Sequence, residues 1–203
     1  MAKIKFTKGE LKKQRDALKQ YSRYLPTLQL KKQQLQIEIL KQSAVLEERR
    51  SDEREKVKVS HGWAGLLTES PADLKRWIAP VRIVAASKNV AGVEIPLFER
   101  AEFVDAEYDL FSTPMWVDTA IEALRAIASL REEIGLLGKG INALRHELRI
   151  TTQRVNLFEK VKIPQTEEAI RLIKIYIGDQ MANAVGRSKM AKRKIEESAE
   201  ALS

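Results

Sequence analysis

The chain has 203 residues, with 36 Lys and Arg against 28 Asp and Glu and no cysteine, which excludes disulfide staples and cysteine metal sites and fits a reducing compartment. Charged residues make up 32% and aromatics 6%, with few Gly and Pro, a balance that suits long helices with narrow apolar stripes better than a thick core. No apolar run approaches the roughly 18–20 residues needed to cross a bilayer, and MAKIKFTKGELKK lacks the apolar block of a secretory signal. The expectation is a soluble chain that reaches a membrane only by attachment.

The net charge of +8 is unevenly spread. Lys3, Lys5, Lys8, Lys12, Lys13, Arg15 and Lys19 crowd the N-terminus, and Arg187, Lys189, Lys192, Arg193 and Lys194 crowd the tail. Between Glu94 and Glu122 the acids dominate, with Arg100 the single basic residue. A chain that folds back on itself brings both basic ends to one pole and leaves the acidic middle at the other.

In chain order, Thr7-Lys8-Gly9-Glu10 reads as a capping box that opens a helix, the Thr7 hydroxyl taking the Glu10 N–H and the Glu10 carboxylate reaching back. The stripe Leu11, Leu18, Tyr21, Leu25, Leu28, Leu35, Ile39 and Leu46 then recurs in steps of three and four, the seam of a coiled coil. Pro26 falls inside it and predicts a kink rather than a break, because the apolar phase survives across it. Gln14, Lys32 and Gln42 are polar seam positions, either solvated where helices diverge, or fixing register or meeting a third subunit. This helix persists to about Lys58, and His61-Gly62 is its first plausible stop.

Ser70-Pro71-Ala72-Asp73 reads as the start of a short helix cut off by Pro80. From Val81 the period changes to alternation. Ser87-Lys88-Asn89 is turn-like, and the run Val90, Ala91, Gly92, Val93, Glu94, Ile95 ends at Pro96, which together predict a hairpin. A lone hairpin is marginal in water, so it must lean on the helices or on a partner. Leu97 to Ser112 reads as mostly loop. Thr113-Pro114 opens a second long helix with Thr113 as N-cap. Its stripe includes Ile121, Ile134, Leu137, Ile141, Leu144, Leu148, Val155 and Phe158, with a weak place at Thr151; Pro164 interrupts it, and it resumes at Ile170, Ile173, Ile177 and Met181.

The fold class is therefore all-α dominated: a long antiparallel two-helix coiled coil with a small middle section holding a short helix and a β-hairpin. The layout is a single elongated domain over 1–203, with coiled-coil helices at 7–60 and 113–200 and a middle section at 61–112 that contains a helix at 71–78 and a hairpin at 81–96. Helices of this length make a rod of roughly 70–75 Å.

Catalytic chemistry finds no foothold. His61 and His146 have no metal-ligand spacing, and no Ser, His and Asp set sits in a nucleophile context. Gly135-Leu136-Leu137-Gly138-Lys139-Gly140 has the wrong spacing for a phosphate loop and lies inside a helical stripe. No catalytic, cofactor-binding or metal residue is assigned. Gly135 and Gly138 mark either a partner contact or local flexibility, since each glycine costs a helix about 1 kcal/mol relative to Ala. The basic ends hold only Phe6, Tyr21 and Tyr24 as stacking aromatics, too few for a nucleic-acid module.

Three stretches resemble a known family: PTLQLKKQQLQ from Pro26, NVAGVEIP from Asn89 and RVNLFEKVKIP from Arg154. In this order, between two heptad-bearing arms, they resemble the D subunits of the V-type and A-type rotary ATPases. The resemblance covers nearly the whole chain and is weakest at 97–111 and in the tail. Leu157-Phe158 is bulkier than the small residue and Leu that family members often carry there. The resemblance implies a non-catalytic central rotor shaft without cofactor, cytoplasmic and attached to the membrane through its complex, passing torque between ATP chemistry and proton or sodium movement. It implies partners in the catalytic A and B subunits, the small F subunit and the funnel-like C/d subunit on the membrane ring, and no nucleic acid. It also implies that both termini enter the hexamer cavity, which makes Lys3, Lys5, Lys8, Lys12, Arg187, Lys189, Lys192, Arg193 and Lys194 the cavity-contact candidates. A generic coiled-coil adaptor explains the heptads equally well but not the three stretches.

Overall fold

The computed structural model describes residues 5–68, 74–108 and 113–200. Its elements are α1 (Lys8–His61), a 3-10 turn (Ala64–Thr68), α2 (Leu74–Ile78), β1 (Pro80–Val90), β2 (Val93–Phe103), α3 (Trp116–Leu157), a π-helical turn (Phe158–Lys162) and α4 (Ile163–Glu200). The fold class read from the sequence is the one found: mainly helical, with one two-stranded antiparallel hairpin between the long helices. Two compact units emerge, Met1–Leu30 with Thr152–Ser203, and Lys31–Thr151.

In the first unit, the start of α1 lies antiparallel to α4. The Thr7 hydroxyl accepts the Glu10 N–H at 3.2 Å, as a cap should. The reciprocal half of the expected capping box is absent: the Glu10 carboxylate accepts from the Gln14 amide at 2.8 Å instead. That bond also occupies the polar seam position at Gln14. α1 continues through Pro26, whose ring faces outward on the exposed side. The Thr27 hydroxyl bonds back to the Tyr24 carbonyl at 2.8 Å beside it.

Two aromatic contacts fix the pairing. Phe6 meets Tyr176 at 5.1 Å between ring centroids, and Tyr21 meets Phe158 at 5.3 Å. Pro26 and Pro164 therefore do not face one another, as an aligned pair of interruptions would. With Tyr21 opposite Phe158, Pro26 lies level with about residue 153, and Pro164 lies some ten residues (roughly 15 Å) along the pair.

In the second unit, the rest of α1 pairs antiparallel with α3. Leu35 and Leu144 are fully buried, and Ile95 from β2 closes the layer at 2% exposure. A second cluster joins Leu74, Val117 and Ile121, with the Trp77 and Tyr108 rings in tilted contact at its edge. Cross-element ion pairs run along this unit: Lys31 to Glu147 at 2.6 Å, Arg49 to Glu133 at 2.9 Å and Arg131 to Glu53 at 2.7 Å. Thr151 is a buried seam position, 1% exposed, and among the described residues no buried side-chain N or O lacks a hydrogen-bond partner.

Three sequence expectations need correction here. The hairpin is longer than 81–96 and turns elsewhere: β1 runs through Ser87-Lys88-Asn89, the tip is Ala91-Gly92, and β2 continues through Leu97 to Phe103, where a loop was expected. Ala91 (φ 50°) and Gly92 (φ 83°) both take positive φ between the paired Val90 and Val93, the geometry of a tight primed turn whose twist matches the strands. The Asn89 side chain accepts the Gly92 N–H at 3.0 Å. Pro96 does not stop the strand, because a two-stranded ribbon leaves an outer edge that needs no N–H donor. Second, the C-terminal helix begins at Trp116, with the Val117 N–H bonded to the Pro114 carbonyl, so Thr113 is not its N-cap. Third, that helix is not one continuous α-helix over 113–200, since the π turn divides it. The expected start at Ser70-Pro71-Ala72-Asp73 lies outside the described residues, and helix is found at Leu74–Ile78.

Candidate functional site

The surfaces with the most distinctive construction are the hairpin dock, the glycine face of α3 and the end of α4. The hairpin packs its Val90, Ala91, Val93 and Ile95 side against Leu35, Ile39, Leu144 and Leu148 of the helix pair. Gly140 lies beneath the hairpin: a Cβ there would sit in ordinary van der Waals contact with the Ile95 Cβ at 3.5 Å and the Pro96 Cδ at 3.8 Å. Gly135 and Gly138 have no atom within 4 Å of a built Cβ. Glu94 and Pro96 belong to the ribbon, with Glu94 exposed and Pro96 half-buried.

Lys88 reaches from the hairpin to Glu38 of α1 at 3.3 Å. The Gln42 amide donates to the same carboxylate at 3.0 Å, which settles that polar seam position locally. The Gln42 hydrogen bond, followed by Lys88, holds the Glu38 carboxyl below its ordinary 4.5 against the opposing effect of partial burial. A depressed carboxylate contributes stability above 4.5 that is lost as pH falls through its folded value. Methyl NMR of Ile95 should therefore report a loosening of the dock under acid, on the scale of about 0.5–1 kcal/mol because Lys88 is half-exposed. Glu38→Gln should show the loosened spectrum at neutral pH and little further change on acidification.

Arg125 carried no signal in the sequence, yet it ties three segments together. Its Nε donates to the Trp77 carbonyl at 2.9 Å, another N–H donates to the Val104 carbonyl, and its guanidinium lies 5.4 Å from the Phe103 ring centroid. Arg125→Ala should cost the chain about 1–3 kcal/mol in denaturant unfolding and free the base of the hairpin. Arg125→Lys, with no planar fork, should recover only part of this.

The end of α4 is built differently. From Gly178 to Ser198 every residue is exposed. Arg187, Lys189, Lys192, Arg193 and Lys194 lie on this stretch, with Lys192 and Arg193 paired one turn ahead to Glu196 and Glu197. Lys5, Lys8 and Lys12 are exposed near the start of α1, in the same unit. Lys3 lies outside the described residues. The seam residues Leu11, Leu18, Tyr21, Leu25, Leu28, Ile39, Leu46, Ile134, Leu137, Leu148 and Phe158 are half-buried, and Leu35, Ile141, Leu144 and Val155 are buried.

Reactive constellations are missing among the described residues. No group of three or more His, Asp or Glu could hold a metal, and His61 and His146 are exposed on helices far apart in sequence. A recess of about 390 Å³ near the end of α1 is lined by Val59, Trp63, Ala126 and Ile127 with Asp52 at its rim, but the Ser60 hydroxyl there donates to the Val57 carbonyl. No described helix is long and apolar enough to cross a membrane.

Paired long helices, a docked hairpin and a bare helix end define a coiled-coil class of protein. The sequence places it more narrowly. Residues 10–193 match the family model for the D subunit of ATP synthase. The V-type ATP synthase D subunit of Borreliella burgdorferi is 46% identical over 192 residues, covering 95% of each chain. Those of Chlamydia muridarum and Chlamydia trachomatis serovar L2 are 34% and 33% identical over 201 residues, covering 97% of this chain and 98% of theirs. The chain belongs to the ATP synthase D-subunit family, and its part is structural rather than catalytic.

Proposed function

We infer that this chain is the central rotor shaft of a V/A-type rotary ATPase, passing torque between the catalytic A and B subunits and an ion-carrying membrane ring. The observation that supports this most directly is the bare end of α4. After Tyr176, the last residue with an aromatic contact to the start of α1, the helix continues for roughly 35 Å with every described side chain after Ile177 exposed. An isolated helix of that composition gains little from its own sequence and needs a surrounding surface to hold it. A ring-shaped hexamer bore supplies one. Dispersed Lys and Arg suit a bearing that must pass several similar positions without settling deeply in one.

The chain in this reading sits on the cytoplasmic side, held to the membrane through the small F subunit and the funnel-like C/d subunit. Affinity capture from detergent-solubilised membranes followed by mass spectrometry tests the assignment. Recovery of A-, B- and F-like subunits in fixed ratio is expected, and recovery of unrelated proteins alone would replace the shaft by an adaptor.

Gly135 and Gly138 then become a contact for another chain of the complex. Alanine fits both places in the isolated chain, so Gly135→Ala with Gly138→Ala should raise its unfolding free energy by about 1–2 kcal/mol. Capture of the complex by the same variant should weaken. Stabilisation with capture unchanged would leave the two glycines without a partner.

A further inference from the structure

α1 keeps an unbroken alternation of three and four along its seam, from Leu11 through Gln14, Leu18, Tyr21, Leu25 and Leu28. Its partner does not. Thr151, Val155 and Phe158 follow the same steps, but the next inward residue is Ile163, five positions on, before Thr166, Ile170, Ile173 and Ile177 resume the pattern. A step of five cannot stay on one face of an α-helix. It is absorbed at Phe158–Lys162, where the Ile163 N–H bonds to the Phe158 carbonyl, five residues back. Pro164 follows at once and has no N–H with which to restore α geometry at the Lys160 carbonyl.

The π turn thus stores one residue. Turning it into α geometry would advance α4 by about 1.5 Å and rotate it by about 100°. Each position facing α1 would pass to the residue before it. The segment AIRLIKIYI, 169–177, is suited to both settings. Its inward row is Ile170, Ile173 and Ile177, and the row one residue earlier is Ala169, Leu172 and Tyr176, also apolar. In the present setting the earlier row already borders the seam, with Ala169 buried, Leu172 half-buried and Tyr176 against Phe6, so the apolar face is wide enough to accept either row. Among the described residues, the ion pairs of α4 stay within that helix, whereas the pairs joining α1 to α3 cross between helices. Apolar contacts tolerate a one-residue slip far better than an ion-pair ladder does.

We propose that the π turn at Phe158–Lys162 is a register switch, by which α4 moves between two one-residue-related settings against the start of α1. The chain has no cysteine, so engineered disulfides read the two settings cleanly. Phe6→Cys with Tyr176→Cys reports the present register, and Phe6→Cys with Ile175→Cys reports the shifted one. Both disulfides form in the 203-residue chain under mild oxidation. Deleting the exposed Glu159 removes the stored residue, so it leaves the Tyr176 pair intact and slows the Ile175 pair several-fold. Pro164→Ala restores the missing donor and favours α geometry, so it raises the Ile175 yield relative to Tyr176. An Ile175 disulfide that fails to form, that is unmoved by the deletion, or that does not rise with Pro164→Ala overturns the switch. Because Pro164→Ala asks for no change in length, it decides the matter even where the deletion variant does not fold.

Discussion

Removing α4 from Arg187 onward should leave the unfolding of the isolated chain within about 0.5 kcal/mol of its starting value, while an assembled complex carrying the truncation loses most of its coupled ion transport. The first half follows from exposure. Every described residue of that stretch is exposed, and its side-chain ion pairs are single-turn pairs on one helix, worth little in water. The second half follows from the proposed bore contact. ATP hydrolysis should continue in part, because the truncated chain contributes no group to it. Parallel measurement of hydrolysis and of ion uptake in sealed vesicles checks the result. Full coupling in the truncated complex would remove the bearing role, and a large loss of chain stability would show that the end of α4 holds the fold instead.

Leu35→Ala is expected to be the most damaging single truncation, at about 2–5 kcal/mol in denaturant unfolding. Leu35 is fully buried between Leu144 of α3 and Ile95 of β2, so its loss opens a cavity that three elements share. With a total stability of about 5–15 kcal/mol for an ordinary domain, such a loss removes a large fraction. The hairpin should leave its dock first, which proteolysis near the Ala91-Gly92 tip would reveal. Leu40→Ala, five residues further along the same helix and 71% exposed, should change stability by less than about 0.5 kcal/mol and serves as the comparison.

The seam of α1 was legible because a period of three and four is a direct projection of one helix face. The hairpin was legible as a class of element but not in its bounds. Ser87-Lys88-Asn89 has turn-like composition, whereas the actual tip depends on Ala91 adopting positive φ, for which alanine gives no signal. Pro96 misled in the same way, since a proline ends a central strand but not the outer edge of a two-stranded ribbon.

The five-residue step from Phe158 to Ile163 was present in the sequence, masked by the proline beside it. The step of five is itself the mark of the π turn, since a proline within an α-helix leaves the steps at three and four. Arg125 was invisible because its partners are two backbone carbonyls and a ring, brought near only by the fold. The same holds for Gly140, which unlike Gly135 and Gly138 lies beneath Ile95 and Pro96.

The layer formed by Leu35, Ile95 and Leu144 also dictates an order of assembly. Its three members are separated by 60 and 49 positions, so the layer has no local version of itself. Helical turns form from neighbours within about a microsecond, but this layer must wait for two long stretches of chain to close. On a growing chain, Leu35 and Ile95 are made before the residue that seals them. The hairpin therefore reaches its final seat only once the chain has grown past Leu144, and until then its apolar side faces water.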